Sequence, residues 1–239
     1  MYETLDYKKI DRIFIINLED RKDRKEDIMK EINRLNISNY EFFKAICPTI
    51  EEVNKWNPLF CNKTYNKLID KNNIEKFNIY KIGCLGCLKS HIEIYKLAFN
   101  RNYNQIMILE DDTEFLLTLD NIRNCIYQLN YNYDMLYLTG NHIKKPIKYT
   151  TNTYKIISTL TTGSYIIKAN TMQYILDNIN SYDLEIDVFL ANYVQKKFNC
   201  YCANPIITTQ KESYSDIIQK NVNYKKNHIS NGFNMKLKF

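Results

Sequence analysis

The sequence predicts an α/β fold in which a sheet carries helices on both of its faces. Two observations support this prediction: short apolar runs rich in β-branched residues alternate with longer segments whose apolar residues recur at helical spacing. A length of 239 residues suits one domain with a sizeable core. We therefore expect a single domain over 1–239, in which 218–239 is a less certain C-terminal tail.

The predicted elements follow from these two patterns. The first apolar run, RIFIIN, has the length and β-branching of a buried strand; the predicted strands or extended segments are 12–17, 40–45, 105–109, 134–139, 163–168 and 201–208. The segments with apolar residues three or four positions apart are the predicted helices 20–35, 83–100, 121–129, 169–179 and 187–198. The polar stretch 47–78 is predicted to be a long loop with a helical piece.

The charge and composition argue against several classes of protein. The net charge of +6 comes from 33 basic and 27 acidic residues spread along the chain, whereas nucleic-acid binders usually cluster their basic residues. No stretch approaches the roughly 18 apolar residues of a membrane span, and the start MYETLDYKK lacks the apolar segment of a signal peptide. Seven cysteines, an odd number, favour reduced thiols. We expect a cytoplasmic protein, or a virion protein if the source is a large DNA virus.

The run QIMILEDDTEF ends a predicted strand with Glu110, Asp111 and Asp112. Adjacent carboxylates raise each other's pKa values unless a cation lies among them. Because alternate residues at a strand end point to the same side, Glu110 and Asp112 are predicted to face one pocket while Asp111 points elsewhere. Carboxylate oxygens suit Mg²⁺ or Mn²⁺, often together with substrate phosphates. A solvated acidic turn is the alternative interpretation.

Six motifs in a set order carry a wider resemblance. They are INLEDRKDR (16–24), GCLGCLKSH (83–91), MILEDD (107–112), TTGSYIIK (161–168), EIDVFL (185–190) and NPIITTQKESYSDI (204–217). Together they resemble glycosyltransferase family 25, which includes bacterial lipooligosaccharide galactosyltransferases and procollagen galactosyltransferases. The resemblance runs from Arg12 to Ile217.

This resemblance implies a GT-A-like (Rossmann-like) mixed sheet and an inverting hexosyltransferase. The donor would be a UDP-sugar, typically UDP-galactose or else a glucose donor, used with Mn²⁺ or Mg²⁺. The acceptor would be a hydroxyl of a glycan, a glycoprotein or a hydroxylysine. Under the resemblance, Glu110 and Asp112 would hold the metal, and Asp111 would belong to the same donor-phosphate motif.

Further site residues are implied by the other motifs. Arg21 and Arg24 share a face at the start of a helix, with Asn17 beside them, and would grip the diphosphate or ribose of the donor. A solvated, mixed-charge helix is the alternative. Ser90 and His91 would line the nucleotide pocket or hold the acidic loop from behind, although a lone histidine at such a position is more often a hydrogen-bonded core residue.

The remaining candidates lie in the second half of the chain. The small residues 162–164 would let the backbone approach a sugar ring, or would form a tight turn. Asp187 occupies the family's acidic position in EIDVFL and would bind the acceptor or act as general base, with a helix N-cap role as the competitor. His228 is a possible third metal ligand, and Ser215 and Asp216 match a family pattern of open role.

Cys84 and Cys87 form a C-x-x-C pair, which suggests zinc or redox chemistry. A structural zinc site needs a second pair at suitable spacing, and Cys200 and Cys202 match that spacing poorly. Both thiols of the pair are therefore predicted to be buried and inert. For the whole chain, two alternatives to an enzyme stay open: a non-catalytic relative that binds a nucleotide-sugar or glycan, and a nucleic-acid or partner-binding module.

Overall fold

A computed structural model describes residues 10–58, 74–217 and 220–222. Within these ranges the helices are α1 (Lys22–Arg34), α2 (Ile50–Lys55), α3 (Ile74–Asn100), α4 (Leu119–Gln128), α5 (Ala169–Asn178), α6 (Ile186–Phe189) and α7 (Gln195–Lys197). The strands are β1 (Arg12–Asn17), β2 (Tyr40–Lys44), β3 (Gln105–Glu110), β4 (Thr113–Phe115), β5 (Met135–Tyr137), β6 (Asn141–Lys144), β7 (Ile147–Lys148), β8 (Thr153–Lys155), β9 (Ser158–Leu160), β10 (Ser164–Lys168), β11 (Cys200–Ala203), β12 (Thr208–Gln210), β13 (Ser213–Ser215) and β14 (Lys220–Val222).

The main sheet is mixed and has eight strands among the described residues, in the order β2-β1-β3-β10-β5-β11-β8-β7. Strands β1, β2 and β3 are parallel to one another, as are β5 and β11. Strand β10 runs antiparallel to both of its neighbours, β3 and β5. Because β10 runs antiparallel to β3, the beginning of β10 lies beside the end of β3.

Both faces of the sheet are covered by helices, as the alternation along β1 shows. Phe14 packs on the face covered by α3, α5 and α6, whereas Ile13 and Ile15 pack on the face covered by α1 and α4. Successive side chains of a strand point to opposite faces, so a strand that is buried on both sides reads as one continuous apolar run. The predicted fold class, a mixed α/β sheet with helices on both faces, is confirmed.

The register of β1 and β3 determines which residues leave the sheet together. Ile16 pairs with Glu110 across the two parallel strands, so Asn17 and Asp111 follow side by side at the carboxyl edge. The backbone N–H of Glu110 donates to the carbonyl of Gly163 on the other side, at 2.8 Å. Three stretches distant in sequence, after β1, after β3 and before β10, thus meet at one place.

Several sequence predictions differ from the structure. Helix α3 begins at Ile74 rather than 83, so the prediction of a loop was wrong for 74–78. The helix continues through Gly83 and Gly86, which were read as its start; at Gly86 an added Cβ would lie 2.5 Å from the backbone oxygen of Ile46, so glycine permits close packing there. Residues 59–73, within the same predicted loop, lie outside the described residues.

The second half shows three more differences. The predicted helix 187–198 is divided into α6, a π-helical turn over 190–194 and α7. The predicted extended segment 201–208 contributes to two sheets, since β11 lies in the main sheet and β12 pairs with β4. Strands β6 to β9 were not predicted, because they are short and partly polar. Of the predicted tail 218–239, only β14 is described.

Helix α3 is long enough to be compared with a membrane span, but it carries charged residues along its length. In the described part of the chain, no helix combines the length and the apolar content that spanning a membrane would require.

Candidate functional site

Asp111 connects the ends of β1 and β3 to the first turn of α1. The Nδ2 of Asn17 donates to Asp111 Oδ2 at 2.8 Å, and the Nη1 of Arg24 donates to Asp111 Oδ1 at 2.9 Å. Asp111 is buried, with 6% of its surface exposed. Its carboxylate is therefore occupied by two protein donors, and it faces α1 rather than open space.

Glu110 and Asp112 face the other direction and converge on one side chain. The Nε2 of Gln210 lies 3.3 Å from Glu110 Oε2, and 3.3 and 3.4 Å from the two carboxylate oxygens of Asp112. The Oγ1 of Thr162 donates to Glu110 Oε1 at 3.0 Å. A single amide nitrogen thus occupies a point within about hydrogen-bond distance of two carboxylates.

Burial raises the pKa values of both carboxyl groups. For Glu110, burial and then the charge of Asp112 raise the pKa from 4.5 to about 8. For Asp112, burial raises the pKa from 3.8 to about 6, while the Arg24 guanidinium, 3.5 Å away, opposes the rise. Two acids held together in this way favour either protonation or the arrival of a cation.

Arg24 and Arg21 bind the segment that follows β12. The Nη2 of Arg24 donates to Ser213 Oγ at 3.1 Å and to the carbonyl of Tyr214 at 2.7 Å. Arg21 forms ion pairs with Asp216 and, through two hydrogen bonds of 3.0 and 2.9 Å, with Asp23. Both guanidinium groups therefore lie at the carboxyl edge of the sheet, beside the acids, and both are paired with carboxylates.

The loop before β10 holds Asp187 close to this cluster. The backbone N–H of Thr161 donates to Asp187 Oδ2 at 3.2 Å, and Thr161 itself has a φ of 76°, a left-handed conformation that is strained for a β-branched residue. Burial raises the pKa of Asp187. Asp187 lies inside the first turn of α6, whose N-cap residue is Glu185, so the alternative N-cap role was wrong.

Ser90 and His91 lie on α3, behind the acids. Ser90 Oγ accepts a hydrogen bond from the N–H of Ile46 at 2.9 Å and donates to the carbonyl of Gly86 at 2.7 Å. His91 is fully buried, and its Nδ1 lies 2.7 Å from the hydroxyl of Tyr165. Both side chains make core hydrogen bonds. Their assignment to the nucleotide pocket stays a prediction.

The structure thus brings together residues from five of the six motifs around one edge of the sheet. They are Asn17, Arg21, Arg24, Glu110, Asp111, Asp112, Thr162, Asp187 and Asp216. Gln210 was missed by the sequence analysis, although it lies in the last motif, because glutamine carries no specific chemical signal. His228 lies outside the described residues.

Cys84 is buried and Cys87 is half-buried, and the six cysteines in the described ranges are all free. Cys87 is not remote from the acids. Burial, then the charges of Glu110 and Asp187, raise the pKa of its thiol, and its Sγ lies 3.8 Å from Thr162 Oγ1. The thiol consequently lies near both carboxylates and the Thr162 hydroxyl.

The fold and this carboxylate cluster define the chain as an α/β protein with a group of acids at the carboxyl edge of its sheet. The profile of glycosyltransferase family 25 (LPS biosynthesis protein) matches residues 10–190. Since that match covers most of the chain, the protein belongs to glycosyltransferase family 25, as the six motifs predicted.

Three similar proteins carry names that are consistent with this family. A Haemophilus influenzae protein named "Putative glycosyltransferase" is 28% identical over 184 residues, which cover 73% of this chain and 60% of that protein. The "Procollagen lysyl hydroxylase and glycosyltransferase" of Acanthamoeba polyphaga mimivirus is 27% identical over 194 residues, 78% of this chain and 20% of the relative. The "Procollagen galactosyltransferase 1-B" of Xenopus laevis is 26% identical over 124 residues, 46% of this chain and 17% of the relative. The chain thus spans under two thirds of the length of each.

Among solved structures, a glycosyltransferase involved in glycosylation of the major capsid of PBCV-1 superposes with a TM-score of 0.39 at 11% identity, covering 81% of this chain and 82% of that one. The protein A197 from STIV gives a TM-score of 0.43 at 11% identity, covering 88% of this chain and 91% of that one.

Proposed function

We propose that this chain is a metal-dependent, inverting glycosyltransferase that moves a hexose, galactose or glucose, from a UDP-sugar to a hydroxyl of a glycan or hydroxylysine. Family membership supports the reaction class. The observation that carries the proposal is the convergence of Glu110 and Asp112, both with pKa values raised by burial, on the amide nitrogen of Gln210.

These residues fit a hard divalent cation, Mn²⁺ or Mg²⁺. Such ions prefer carboxylate oxygens, and the two carboxylates already lie within about 3.4 Å of one shared point. Glu110 and Asp112 would hold the ion there, and the Gln210 amide would move aside. When bound, the cation would neutralise charge on the leaving diphosphate.

Arg21 and Arg24 are proposed to bind the donor phosphates. Arg24 lies 3.5 Å from Asp112 in the first turn of α1, and Arg21 is the N-cap residue of this helix, whose N-terminus also favours anions. Asp111 and Asn17 would orient Arg24 and the acidic loop rather than touch the metal, because they already bond each other and Arg24. Ser90 and His91 would support this loop from α3.

Asp187 is proposed as the residue on the acceptor side. A general base must take the proton of the acceptor hydroxyl, and burial raises the pKa of Asp187 towards the range in which a base is effective. The hydroxyl of Thr161, next to it, is buried and has no hydrogen-bond partner among the described residues. We propose that a hydroxyl of the bound sugar or acceptor forms a hydrogen bond with this Thr161 hydroxyl.

The identity of the substrates rests on relatives. One relative is named a procollagen galactosyltransferase, which supports a galactose donor and a protein-linked or glycan acceptor. The predicted partners are thus a nucleotide-sugar and a glycan or glycoprotein, without nucleic acid. The cytoplasmic location and the single-domain organisation over 1–239 remain predictions.

The test is a screen of UDP-sugars with Mn²⁺ that measures released UDP, followed by the variant Asp112→Asn. We expect the wild-type protein to release UDP from one donor, and the variant to lose at least about 100-fold in rate because a metal ligand and its charge are gone. Glu114→Gln is the matched control, since Glu114 belongs to the same acidic run but lies near Arg34.

Three results would contradict the proposal. Wild-type turnover by Asp112→Asn would remove Asp112 from the metal site. Thermal stabilisation of the wild-type protein by UDP-sugar without any turnover would instead identify a non-catalytic binder. Salt-sensitive binding to DNA or RNA that is unchanged in Asp112→Asn would favour a nucleic-acid module.

A further inference from the structure

Three side chains of different chemistry meet behind the acidic loop. A sulfur of Cys87, a ring nitrogen of His91 and a carboxylate oxygen of Glu110 all lie within 4.8 Å of one another. Cys87 and His91 are four residues apart on α3, so they share one face of the helix, and Glu110 reaches them from the end of β3.

The histidine provides the second observation. His91 is fully buried, its Nδ1 lies 2.7 Å from the hydroxyl of Tyr165, and its Nε2 has no hydrogen-bond partner among the described residues. A buried polar atom without a partner is rare and calls for an explanation. A metal ion held by His91, the Cys87 thiol and the Glu110 carboxylate would explain this missing partner most directly.

We propose that Cys87, His91 and Glu110 form a second metal site, which takes a thiolate-preferring divalent ion, Zn²⁺ first. Thiolate, imidazole and carboxylate are the zinc ligands of proteins, and three protein ligands leave one position open. In tetrahedral zinc sites the ligand atoms lie about 3.2–3.7 Å apart, so these side chains need to draw together by no more than about 1.5 Å. Cys87 and Glu110 are half-buried residues, so the proposed site lies between the core and the surface.

The surroundings of His91 match those of a ligating histidine. Such a histidine usually donates its other ring N–H to an acceptor, which sets the tautomer and the orientation of the ring. Tyr165 Oη is in position to accept from Nδ1–H, and it lies 2.5 Å from the hydroxyl of Tyr95, to which it can donate. In that arrangement His91 keeps the lone pair of its buried Nε2, which has no hydrogen-bond partner among the described residues, for a metal ion.

Glu110 would then serve two ions with its two oxygens. Oε1 accepts from Thr162 Oγ1, which is also 3.8 Å from Cys87 Sγ, whereas Oε2 faces Gln210 and Asp112. The carboxylate would thus bridge a soft site on α3 and the hard site of the proposed donor pocket. Cys87 was predicted to be inert because the chain lacks a second cysteine pair at zinc spacing; here one histidine and one acid take the place of that pair.

The test uses Co²⁺, a spectroscopic substitute for Zn²⁺, added to chelator-treated protein in a thiol-free reductant. We expect one equivalent of Co²⁺ to produce a sulfur-to-cobalt charge-transfer band in the near ultraviolet, and Zn²⁺ to displace it. Cys87→Ser should lose this band. Cys84→Ser, which removes a buried thiol one helical turn away, should keep it. Absence of the band in the wild-type protein, or its persistence in Cys87→Ser, would overturn the proposal.

Two further variants keep the proposal testable if Cys87→Ser does not fold. His91→Gln should weaken Zn²⁺ binding at least about tenfold, and Tyr165→Phe, which removes the partner of Nδ1, should weaken it by about 10- to 100-fold. Unchanged affinity in both would contradict the site.

The site does not depend on the proposed sugar transfer, and the variant Asp112→Asn distinguishes the two ideas. It should abolish Mn²⁺-dependent transfer while leaving the cobalt band intact. Loss of the band in Asp112→Asn would overturn the separate site, since it would place the only cation at the donor pocket.

Discussion

Asp111 differs from its two neighbours in the partners that neutralise it. Its carboxylate accepts from Asn17 and Arg24, whereas Glu110 and Asp112 share the neutral amide of Gln210, and Asp112 lies 3.5 Å from the Arg24 guanidinium. The backbone alternation at the end of β3 produces this division, because residues 110 and 112 point to the same side. One acid therefore supports the loop, and the other two meet at the side chain of Gln210.

The free energy of unfolding of the metal-free protein is expected to depend on pH. Burial and the charge of Asp112 raise the pKa of Glu110 from 4.5 to about 8, so folding favours its protonated form. The resulting stability is complete below about pH 4.5 and is lost as the pH rises through about 8, with a slope of up to about 1.4 kcal/mol per pH unit. Urea unfolding at a series of pH values, in the presence of a chelator, measures this change in stability.

Glu110→Gln should flatten this part of the stability profile, since the amide does not titrate. Glu114→Gln, in the same acidic run, is expected to keep the slope. A profile that stays equally steep in Glu110→Gln would show that the pKa of this carboxyl group is not raised in the folded state.

At the same scale, the sequence singled out the acids and arginines that the structure places at one edge of the sheet, but it did not single out Gln210. A carboxylate run after an apolar strand is specific because repelling charges need a compensating partner. A glutamine some 100 residues later becomes informative only when β12 pairs with β4 and places it over the acids. Cys87 and His91 had a usable signal, their spacing of four on one helix.

Helix α3 is the element that links the core to the site. It carries Cys87, Ser90 and His91 on the side that approaches the acidic loop, and Gly86 lets it lie against the backbone after β2. Its first residues, 74–78, were predicted as loop because the stretch 47–78 is irregular, polar and rich in Asn. Here tertiary packing determines the helix start more than local pattern does.

Gly86→Ala tests this close approach. The added Cβ would lie 2.5 Å from the carbonyl oxygen of Ile46, which belongs to backbone and cannot rotate away. We expect a loss of about 1–3 kcal/mol in the free energy of unfolding, measured by denaturant titration.

Gly163→Ala serves as the matched control for that variant. Its Cβ would approach only the side chain of Gln210, at 3.4 Å, so a change within about 0.5 kcal/mol is expected. Equal stability of the Gly86→Ala protein and the unmodified protein would mean that the helix can shift without cost.

At the scale of the whole molecule, the mixed sheet gathers residues from both ends of the chain. The α/β class could be predicted from alternating patterns, but the strand order could not, because the antiparallel insertion of β10 between β3 and β5 depends on long-range pairing. The same pairing places the loop before β10 next to the acids. Ligand binding is therefore coupled to the stability of the entire sheet.

Mn²⁺ with UDP should accordingly raise the melting temperature of the protein. At about 100 times the dissociation constant, a ligand adds about 2.7 kcal/mol, which corresponds to roughly 5–10 °C for a chain of this size. Differential scanning fluorimetry measures the shift. Asp112→Asn should lose it, and an equal shift in that variant would place the nucleotide elsewhere.

The pairing of Ile16 with Glu110 has a consequence for how the chain can vary in length. Deleting one residue inside β1 would turn its apolar side chains to the wrong faces and carry Asn17 and Arg24 away from Asp111. Strand β7 lies at the other edge of the sheet, and the loops next to it make none of the contacts among Asn17, Arg24 and Asp111. Natural insertions and engineered tags are best accommodated there, while the count from Arg12 to Arg24 has to be preserved.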